Sequence, residues 1–171
     1  YSFGHRNPQG LVFHPVLGGL YITEHGPSDN DEVNRIEIGR NYGWPNVRGF
    51  CDNDVLSSET GFCEEHQVAQ PMAAWTPTIA PSGADFYNSD LIPEWKGSLL
   101  FTTLKGAALV RLPLSQDGLR AMAEDYNYPQ WFGRLRDVLV GPRGEVYLAT
   151  SNRDGRGSPV AEDDRIIRLE P

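Results

Sequence analysis

Apolar residues recur along the chain in short runs that alternate with polar positions, and most of these runs end at a turn-forming residue. The chain contains 18 glycines and 13 prolines, and helical periodicity is scarce. Runs of this length and period predict β-strands joined by tight turns. The pattern therefore predicts an all-β protein.

Three versions of one strand occur along the chain. They are GGLYITE from Gly18, KGSLLFTTL from Lys96 and RGEVYLATS from Arg143. Each is preceded by a strand that ends in a turn and is followed by another apolar strand. The second and third versions are 47 residues apart, from Gly97 to Gly144. The first and second are 78 residues apart, from Gly19 to Gly97, because about 30 further residues are inserted between them. A strand unit that recurs at this period is typical of a β-propeller blade.

The repeat predicts a β-propeller of the six-bladed type, with about three four-stranded blades in this chain. We place the blades at about 1–40, 76–115 and 130–171, with an insertion at about 41–75, in a single region 1–171. Three blades form half a ring, so we expect a missing N-terminal half or a second chain to complete it. A solenoid or a sandwich is the alternative.

Charge and apolar run length exclude two classes of partner. A formal net charge of −8 and an isoelectric point near 4.9 argue against nucleic acid or an anionic membrane surface. No apolar run approaches the roughly 20 residues of a membrane span. Because Tyr1 opens directly on polar sequence without a signal peptide, we expect the chain to be cut from a longer one.

Cys51 and Cys63 are the only cysteines, and they bracket a polar loop. We expect a disulfide, which by loop entropy contributes about 3 kcal/mol and implies an oxidising location. In a reducing compartment they would be two free thiols.

Antiparallel blades place the loops of every blade at one of two ends of the ring, and the charged residues are divided unequally between those ends. One end receives ordinary turns such as HPVLGG and GPRG. The other end gathers four cations, an amide, a histidine and two acids: Arg6, Lys105, Arg134, Arg136, Asn7, His25, Asp31 and Glu32. Converging cations in an acidic protein predict an anion site, and the neighbouring acidic loop with its Gly-Pro carbonyls suits Ca²⁺. Alternatively, each charge only solvates its own loop.

Several motifs in order make a resemblance specific. They are GHRNPQGL, EHGPSDNDEVN, GRNYGWP, SGADFYNSD, LKGAALVRL and RLRDV. They resemble the C-terminal half of the pyrroloquinoline quinone (PQQ)-dependent aldose sugar dehydrogenases, the glucose/sorbosone dehydrogenase family. The resemblance implies a six-bladed propeller, periplasmic or secreted, that uses PQQ and Ca²⁺.

The resemblance also implies roles for individual residues. Cofactor contacts fall on Arg6, Asn7, His25, Asp31, Trp75, Thr76, Lys105, Arg134 and Arg136. Gly26 and Pro27 would bind the catalytic calcium through backbone oxygens, while Glu32 and the Tyr42 carbonyl would bind a structural calcium. Because PQQ is a planar tricarboxylate, guanidinium and ammonium groups are its expected partners.

The implied reaction oxidises the anomeric hydroxyl of an aldose sugar to a lactone. Calcium polarises the quinone, a histidine takes the hydroxyl proton and hydride passes to the cofactor, with Arg134 and Arg136 as possible charge stabilisers. None of the four histidines here matches that base: His5 packs within its motif, His14 and His66 are expected in solvent, and His25 matches a cofactor-side position. We therefore predict that this chain alone does not oxidise sugar.

Two other functions remain open from the sequence. A non-catalytic propeller could serve as a binding or interaction module. Such a surface, however, has no need of five cofactor-type contacts together, namely Arg6, Asn7, Lys105, Arg134 and Arg136. A lactonase-like calcium propeller would hydrolyse esters, but it needs side-chain carboxylate and amide ligands along the axis, and the candidates here are mainly backbone oxygens and cations.

Overall fold

A computed structural model describes residues 1–170 and contains three antiparallel sheets, so the all-β prediction is confirmed. Each sheet is formed by strands that are consecutive along the chain. The first contains β1 (Pro8–Phe13), β2 (Leu20–Glu24), β3 (Asp31–Ile36) and β4 (Ala73–Trp75). The second contains β5 (Pro81–Tyr87), β6 (Ser98–Thr103), β7 (Leu109–Pro113) and β8 (Asp125–Asn127). The third contains β9 (Leu135–Val140), β10 (Val146–Thr150) and β11 (Ile166–Leu169).

The long connection between β3 and β4 is not only an insertion. It ends in β4, which pairs with β3 and completes the first sheet, so that sheet extends beyond residue 40. Three residues without a repeat partner carry too little pattern to be recognised in sequence. The connection also holds the only α-helix of the described residues, α1 (Glu59–His66), and the expected disulfide between Cys51 and Cys63.

The three sheets stack face to face, and β6 shows how the sequence produces this packing. All six residues of β6 are buried, because both faces of the second sheet are covered. Leu99 and Phe101 pack with Tyr21 of the first sheet, whereas Leu100 on the other face packs with Leu148 of the third. A central sheet buried on both faces is the arrangement of neighbouring propeller blades.

The outer faces of the first and third sheets are open. Leu11 and Phe13 are 69% and 64% exposed on one side, and Leu139 and Ile166 are 61% and 73% exposed on the other. Within residues 1–170 the third sheet has three strands, one fewer than predicted. Open apolar sheet faces at both ends of the stack are what half of a ring would present.

Strand direction places the loops that precede β1 and β5, and those that follow β2, β6, β8 and β10, at one end of the stack. These are the loops that carry the charged residues singled out by the sequence. In the described part of the chain, no helix is both long and apolar enough to cross a membrane.

Candidate functional site

A cavity of about 280 Å³ lies at the loop-bearing end, where loops from all three sheets meet. The residues that line it include His25, Gly26, Asp31, Thr78, Lys105 and Arg134. Five of these six were predicted from sequence to lie together, although they are spread over more than 100 positions of the chain. The cavity is therefore the candidate site.

Asp31 fixes the shape of the cavity wall. Its buried carboxylate accepts hydrogen bonds from the backbone N–H groups of Gly26 (2.9 Å), Ile79 (2.7 Å) and Ala80 (2.6 Å). These bonds tie the loop after β2 to the loop before β5. Gly26 is needed here for close approach, since a Cβ would overlap the backbone of Asp29 and Asn30. Asp31 therefore acts on the site by positioning two loops.

Lys105 and Arg134 line the far wall of the cavity, and Arg136 lies beside that wall. Lys105 Nζ donates to Thr78 Oγ1 (2.7 Å), and Arg134 donates to the Leu104 carbonyl (3.1 Å) and to Asp154 Oδ2 (2.8 Å). Hydrogen bonds from Arg134 lower the pKa of Asp154 from its ordinary value. Arg136 lies 3.7 Å from the same carboxylate and is 45% exposed. Asp154 thus holds both guanidinium groups at one place.

Arg6 and Asn7 reach the same rim from the loop before β1. The buried Glu24 carboxylate accepts from their backbone N–H groups at 3.0 and 3.4 Å. Arg6 then donates to the His25 carbonyl (3.0 Å), and its guanidinium lies 5.3 Å from the centre of the Trp44 ring. Arg6, Lys105 and Arg136 therefore lie at one end of the molecule. Cations around a cavity of this size suit the tricarboxylate PQQ that the resemblance implies.

A second, much smaller cavity of about 10 Å³ lies beside the first and has room for one ion or water. Glu24, Glu32 and Tyr42 line it. Glu24 and Glu32 are directly opposite each other in β2 and β3, and both accept from Asn34 Nδ2, at 3.0 and 2.8 Å. Burial, with a smaller contribution from the charge of Glu24, raises the pKa of Glu32 to about 7.

This small cavity fits a hard cation. Glu24 is buried, Glu32 is partly buried, and neither forms an ion pair with an arginine or lysine of residues 1–170. His5 Nδ1 lies 3.4 Å from Glu24 Oε1, and the buried Asn34 Oδ1 has no partner within the same residues. Over the same residues, the carbonyl oxygens of Gly26, Pro27 and Tyr42 accept no hydrogen bond. The described residues contain no cluster of three His, Cys, Asp or Glu side chains, so backbone oxygens would have to complete any calcium site.

Comparison with known proteins shows the family of the chain. The model of the glucose/sorbosone dehydrogenase family matches residues 1–167. The chain belongs to this family.

The relatives of this family member are longer proteins. Aldose sugar dehydrogenase YliI of Escherichia coli (strain K12) is 35% identical over 162 residues, which cover 91% of this chain and 42% of YliI. Quinoprotein glucose dehydrogenase B of Acinetobacter calcoaceticus is 30% identical over 220 residues, 98% of this chain and 45% of that protein. The chain thus spans less than half the length of the curated relatives that it matches.

Solved structures of the same family share the fold. The PQQ-bound form of the aldose sugar dehydrogenase of Streptomyces coelicolor superposes with a TM-score of 0.78 and is 35% identical, covering 99% of this chain and 45% of that one. The aldose sugar dehydrogenase of Escherichia coli in its apo form gives a TM-score of 0.72 at 32% identity, over 88% and 43% of the two chains. The propeller prediction is confirmed by these likenesses.

Two of the predicted cofactor contacts lie elsewhere in this family member. Trp75 is buried in the core, 5.4 Å from the Phe101 ring, and donates to Glu124 (3.2 Å). Thr76 exchanges hydrogen bonds with Asn30 at the exposed rim. Thr78, two residues further along the same segment, lines the cavity.

The histidines also differ in part from expectation. His14, expected in solvent, is 9% exposed and packs 4.5 Å from the Phe86 ring. Its Nδ1 accepts from the N–H groups of Val16 and Leu17, and burial lowers its pKa. His25 lines the cavity, with Nε2 2.8 Å from the Pro81 carbonyl. His66 lies at the end of α1, 4.1 Å from the Phe62 ring.

Sequence reasoning missed Glu24, Thr78, Asp154 and Arg156. Glu24 is a charged residue at the end of the apolar strand β2, and it is buried. A charge at the end of a buried strand was the sequence signal that could have indicated a binding residue. Asp154 and Arg156 belong to a loop of 15 residues, 151–165, which strand direction places at this end of the stack. Spacing does not show which side chains of such a long loop reach the cavity, so these two were not singled out.

Proposed function

We propose that this chain is the cofactor-binding half of a PQQ- and Ca²⁺-dependent aldose sugar dehydrogenase, which oxidises the anomeric hydroxyl of a sugar to a lactone. The observation that carries the proposal is the cavity at which Lys105, Arg134 and the Gly26-Pro27 bend meet. When bound, PQQ supplies the hydride acceptor and Ca²⁺ the charge that polarises it. The names of the relatives support this reaction.

The residues of this chain bind and orient the cofactor. Lys105, Arg134 and Arg136 would hold carboxylate and quinone oxygens, and Arg6 and Asn7 would approach the cofactor from the side of His25. The Arg134–Asp154 pair fixes one guanidinium in place before the cofactor arrives, which lowers the entropy lost on binding. Arg136 is more exposed and less tightly paired, so it is the cation best able to follow charge that develops on the quinone.

Calcium would occupy two places. The free carbonyl oxygens of Gly26 and Pro27 suit an ion shared with the cofactor, and Glu32 with the Tyr42 carbonyl suits a structural ion in the small cavity. Glu24 lies opposite Glu32 and is a further candidate ligand.

The proton acceptor would come from outside this chain. Of the four histidines, only His25 lines the cavity, and its ring nitrogen bonds the Pro81 carbonyl. We therefore propose that a further half-propeller, which packs on the open faces at Leu11 and Leu139, supplies the general base. The chain and that further half-propeller together form the complete ring.

We propose a periplasmic or secreted location. The Cys51–Cys63 disulfide supports it, because disulfides persist mainly in oxidising compartments.

A spectroscopic titration tests the function. PQQ and Ca²⁺ added to the complete ring should give a shifted quinone absorbance that bleaches when an aldose is added. Tight PQQ binding without bleaching by any aldose would instead favour a binding module, and no PQQ binding would make lactone hydrolysis the next assay.

One residue pair sharpens the test. Arg136→Ala should weaken PQQ binding about tenfold or more while the unfolding temperature is unchanged, because one charge-assisted contact is lost. Arg143→Ala is the matched control: it removes an arginine that is 82% exposed at the opposite end, and it should leave PQQ affinity unchanged. Equal affinities for wild type and Arg136→Ala would contradict the site.

A further inference from the structure

A groove of about 480 Å³ runs from the cavity along the boundary between the second and third sheets. Leu104, Lys105, Arg134 and Arg156 line both the groove and the cavity, so the two spaces are continuous. The outer end of the groove is lined by Gln130, Trp131 and Ser158. A ligand that extends beyond the cavity would enter this groove.

Trp131 is an exposed aromatic residue that is held in place. Its side chain is 70% exposed, yet its ring lies edge-on to Tyr128 at 5.4 Å and to Phe132 at 6.4 Å. The loop beneath it is anchored, because the Gln130 backbone N–H donates to the Ala107 carbonyl (2.8 Å) and its side chain to the Gly106 carbonyl (3.2 Å). A fixed, exposed indole is a flat apolar platform of the kind on which the C–H face of a sugar ring stacks.

The charge of the groove comes mainly from one free cation. Arg134 is paired with Asp154 at 2.8 Å, Arg165 with Asp163 at 3.2 Å, and Lys105 donates to Thr78. The Arg156 side chain makes no hydrogen bond or ion pair with any residue from 1 to 170, and it lies where groove and cavity join. An acidic group on a bound ligand would be its natural partner.

The groove is separate from the surfaces that the rest of the ring would cover. Its lining residues belong to the loops after β6, β8 and β10, which are all in this chain. The open apolar faces lie at the two outer sheets, around Leu11 and Leu139. The exposure of Trp131 is therefore not explained by the missing half-propeller.

We propose that this groove is a subsite for the second sugar unit of an oligosaccharide whose reducing-end unit is oxidised beside the cofactor, where the groove joins the cavity. Trp131 stacks on that unit, and Arg156 favours a unit that carries a carboxylate. The proposal rests on the proposed function, which places the reducing end beside the cofactor. It identifies acidic oligosaccharides as the substrate class.

Binding is tested first, without oxidation. We would titrate the complete ring with cellobiouronic acid, cellobiose and glucose, and follow the indole N–H resonance that disappears in Trp131→Ala. Both disaccharides should shift this resonance, the acidic one at lower concentration, and glucose should not. A shift without oxidation of any sugar would refute the dehydrogenase but keep the groove; no shift with either disaccharide would overturn the subsite.

Kinetics test the two residues separately. Trp131→Ala should lower kcat/KM about tenfold for both disaccharides and change it less than about twofold for glucose, while Trp131→Phe should retain part of the difference. Arg156→Gln should bring the ratio of kcat/KM for cellobiouronic acid to that for cellobiose close to one. Tyr126→Ala, which removes a 43% exposed ring on β8 outside the groove, is the control. It should change neither the ratio of kcat/KM for the disaccharides to that for glucose nor the ratio for cellobiouronic acid to that for cellobiose.

Two outcomes would overturn the assignment. An equal loss for glucose and for the disaccharides in Trp131→Ala would assign Trp131 to the cavity or to the fold. A wild-type preference for cellobiose over cellobiouronic acid would refute the role of Arg156.

Discussion

Asp31 and Glu32 are adjacent acids in β3 that face opposite sides of the first sheet, and they meet different surroundings. Asp31 points towards the second sheet, where three backbone N–H groups satisfy its carboxylate. Glu32 points to the outer side, where a second carboxylate, Glu24, lies opposite and the pKa is raised to about 7. Asp31 is stabilised as an anion by these N–H groups, whereas Glu32 accepts from Asn34 Nδ2 and the Gly49 N–H but lies opposite a second carboxylate.

This difference separates structural from ligand-binding roles. A buried carboxylate whose hydrogen bonds are all made within the fold has no need of a ligand. Two opposed carboxylates are destabilising until a cation lies between them. We therefore propose that Asp31 positions the two loops and that Glu32 binds calcium.

Removal of the Asp31 carboxylate should have the largest effect. Asp31→Ala leaves three N–H groups without an acceptor, which should lower the free energy of unfolding by about 4 kcal/mol and abolish PQQ binding. Denaturant unfolding and a PQQ titration of the complete ring measure both. Asp29→Ala, in the same loop, breaks a 3.8 Å contact with Arg48 and an exposed hydrogen bond from Ser28 Oγ (3.1 Å), and it should cost less than about 1 kcal/mol. Similar losses in the two variants would contradict the positioning role.

Removal of the disulfide should have the second largest effect on stability. Replacing both Cys51 and Cys63 by serine should lower the free energy of unfolding by about 3 kcal/mol, because a loop with a sequence separation of 12 is released. The same connection carries Gly49, whose N–H donates to Glu32 (2.8 Å), so calcium affinity should also fall. Isothermal titration with Ca²⁺ would check this second effect. An unchanged calcium affinity would separate the disulfide from the Glu32 region.

The effect of Glu32→Gln on stability should change sign when calcium is added. With chelator present, the variant should be at least as stable as wild type, because the repulsion from Glu24 is gone. With Ca²⁺ at a hundredfold excess over Kd, wild type should gain about 2.7 kcal/mol that the variant lacks. Thermal unfolding without PQQ measures both conditions. A wild type that is more stable in chelator, or an equal gain in both proteins, would refute the assignment.

His14 should give the smallest effect, as a buried group that the fold satisfies. Because burial lowers its pKa, the folded protein binds fewer protons than the unfolded chain just below the ordinary value of 6.5. Stability should therefore fall as pH drops from 6.5 through the lowered pKa. His14→Asn should flatten this slope in unfolding experiments at pH 4 to 8. An unchanged slope would show that other groups cause it.

The periodic parts of the molecule could be predicted from sequence, and the irregular parts could not. Strands with two covered faces, such as β6, have a strong apolar pattern, and the loops that join them inherit their position from strand direction. That rule was sufficient to bring Arg6, Lys105 and Arg134 to one end. The same rule places the loop 151–165 at that end, but it does not show which of its side chains reach the cavity, and β4, with three residues, has too little pattern to be recognised. Trp75, at the end of β4, shows a further limit: a shift of one residue moves a side chain from the rim to the core.

The most direct test of the proposed cofactor site is a crystal structure of the complete ring with PQQ and Ca²⁺ bound. We expect density for the quinone between Arg6 and Arg136, in contact with Lys105 and Arg134, and an ion at the Gly26 and Pro27 carbonyls. Density for the quinone at any other place, with the cavity filled only by water, would contradict it.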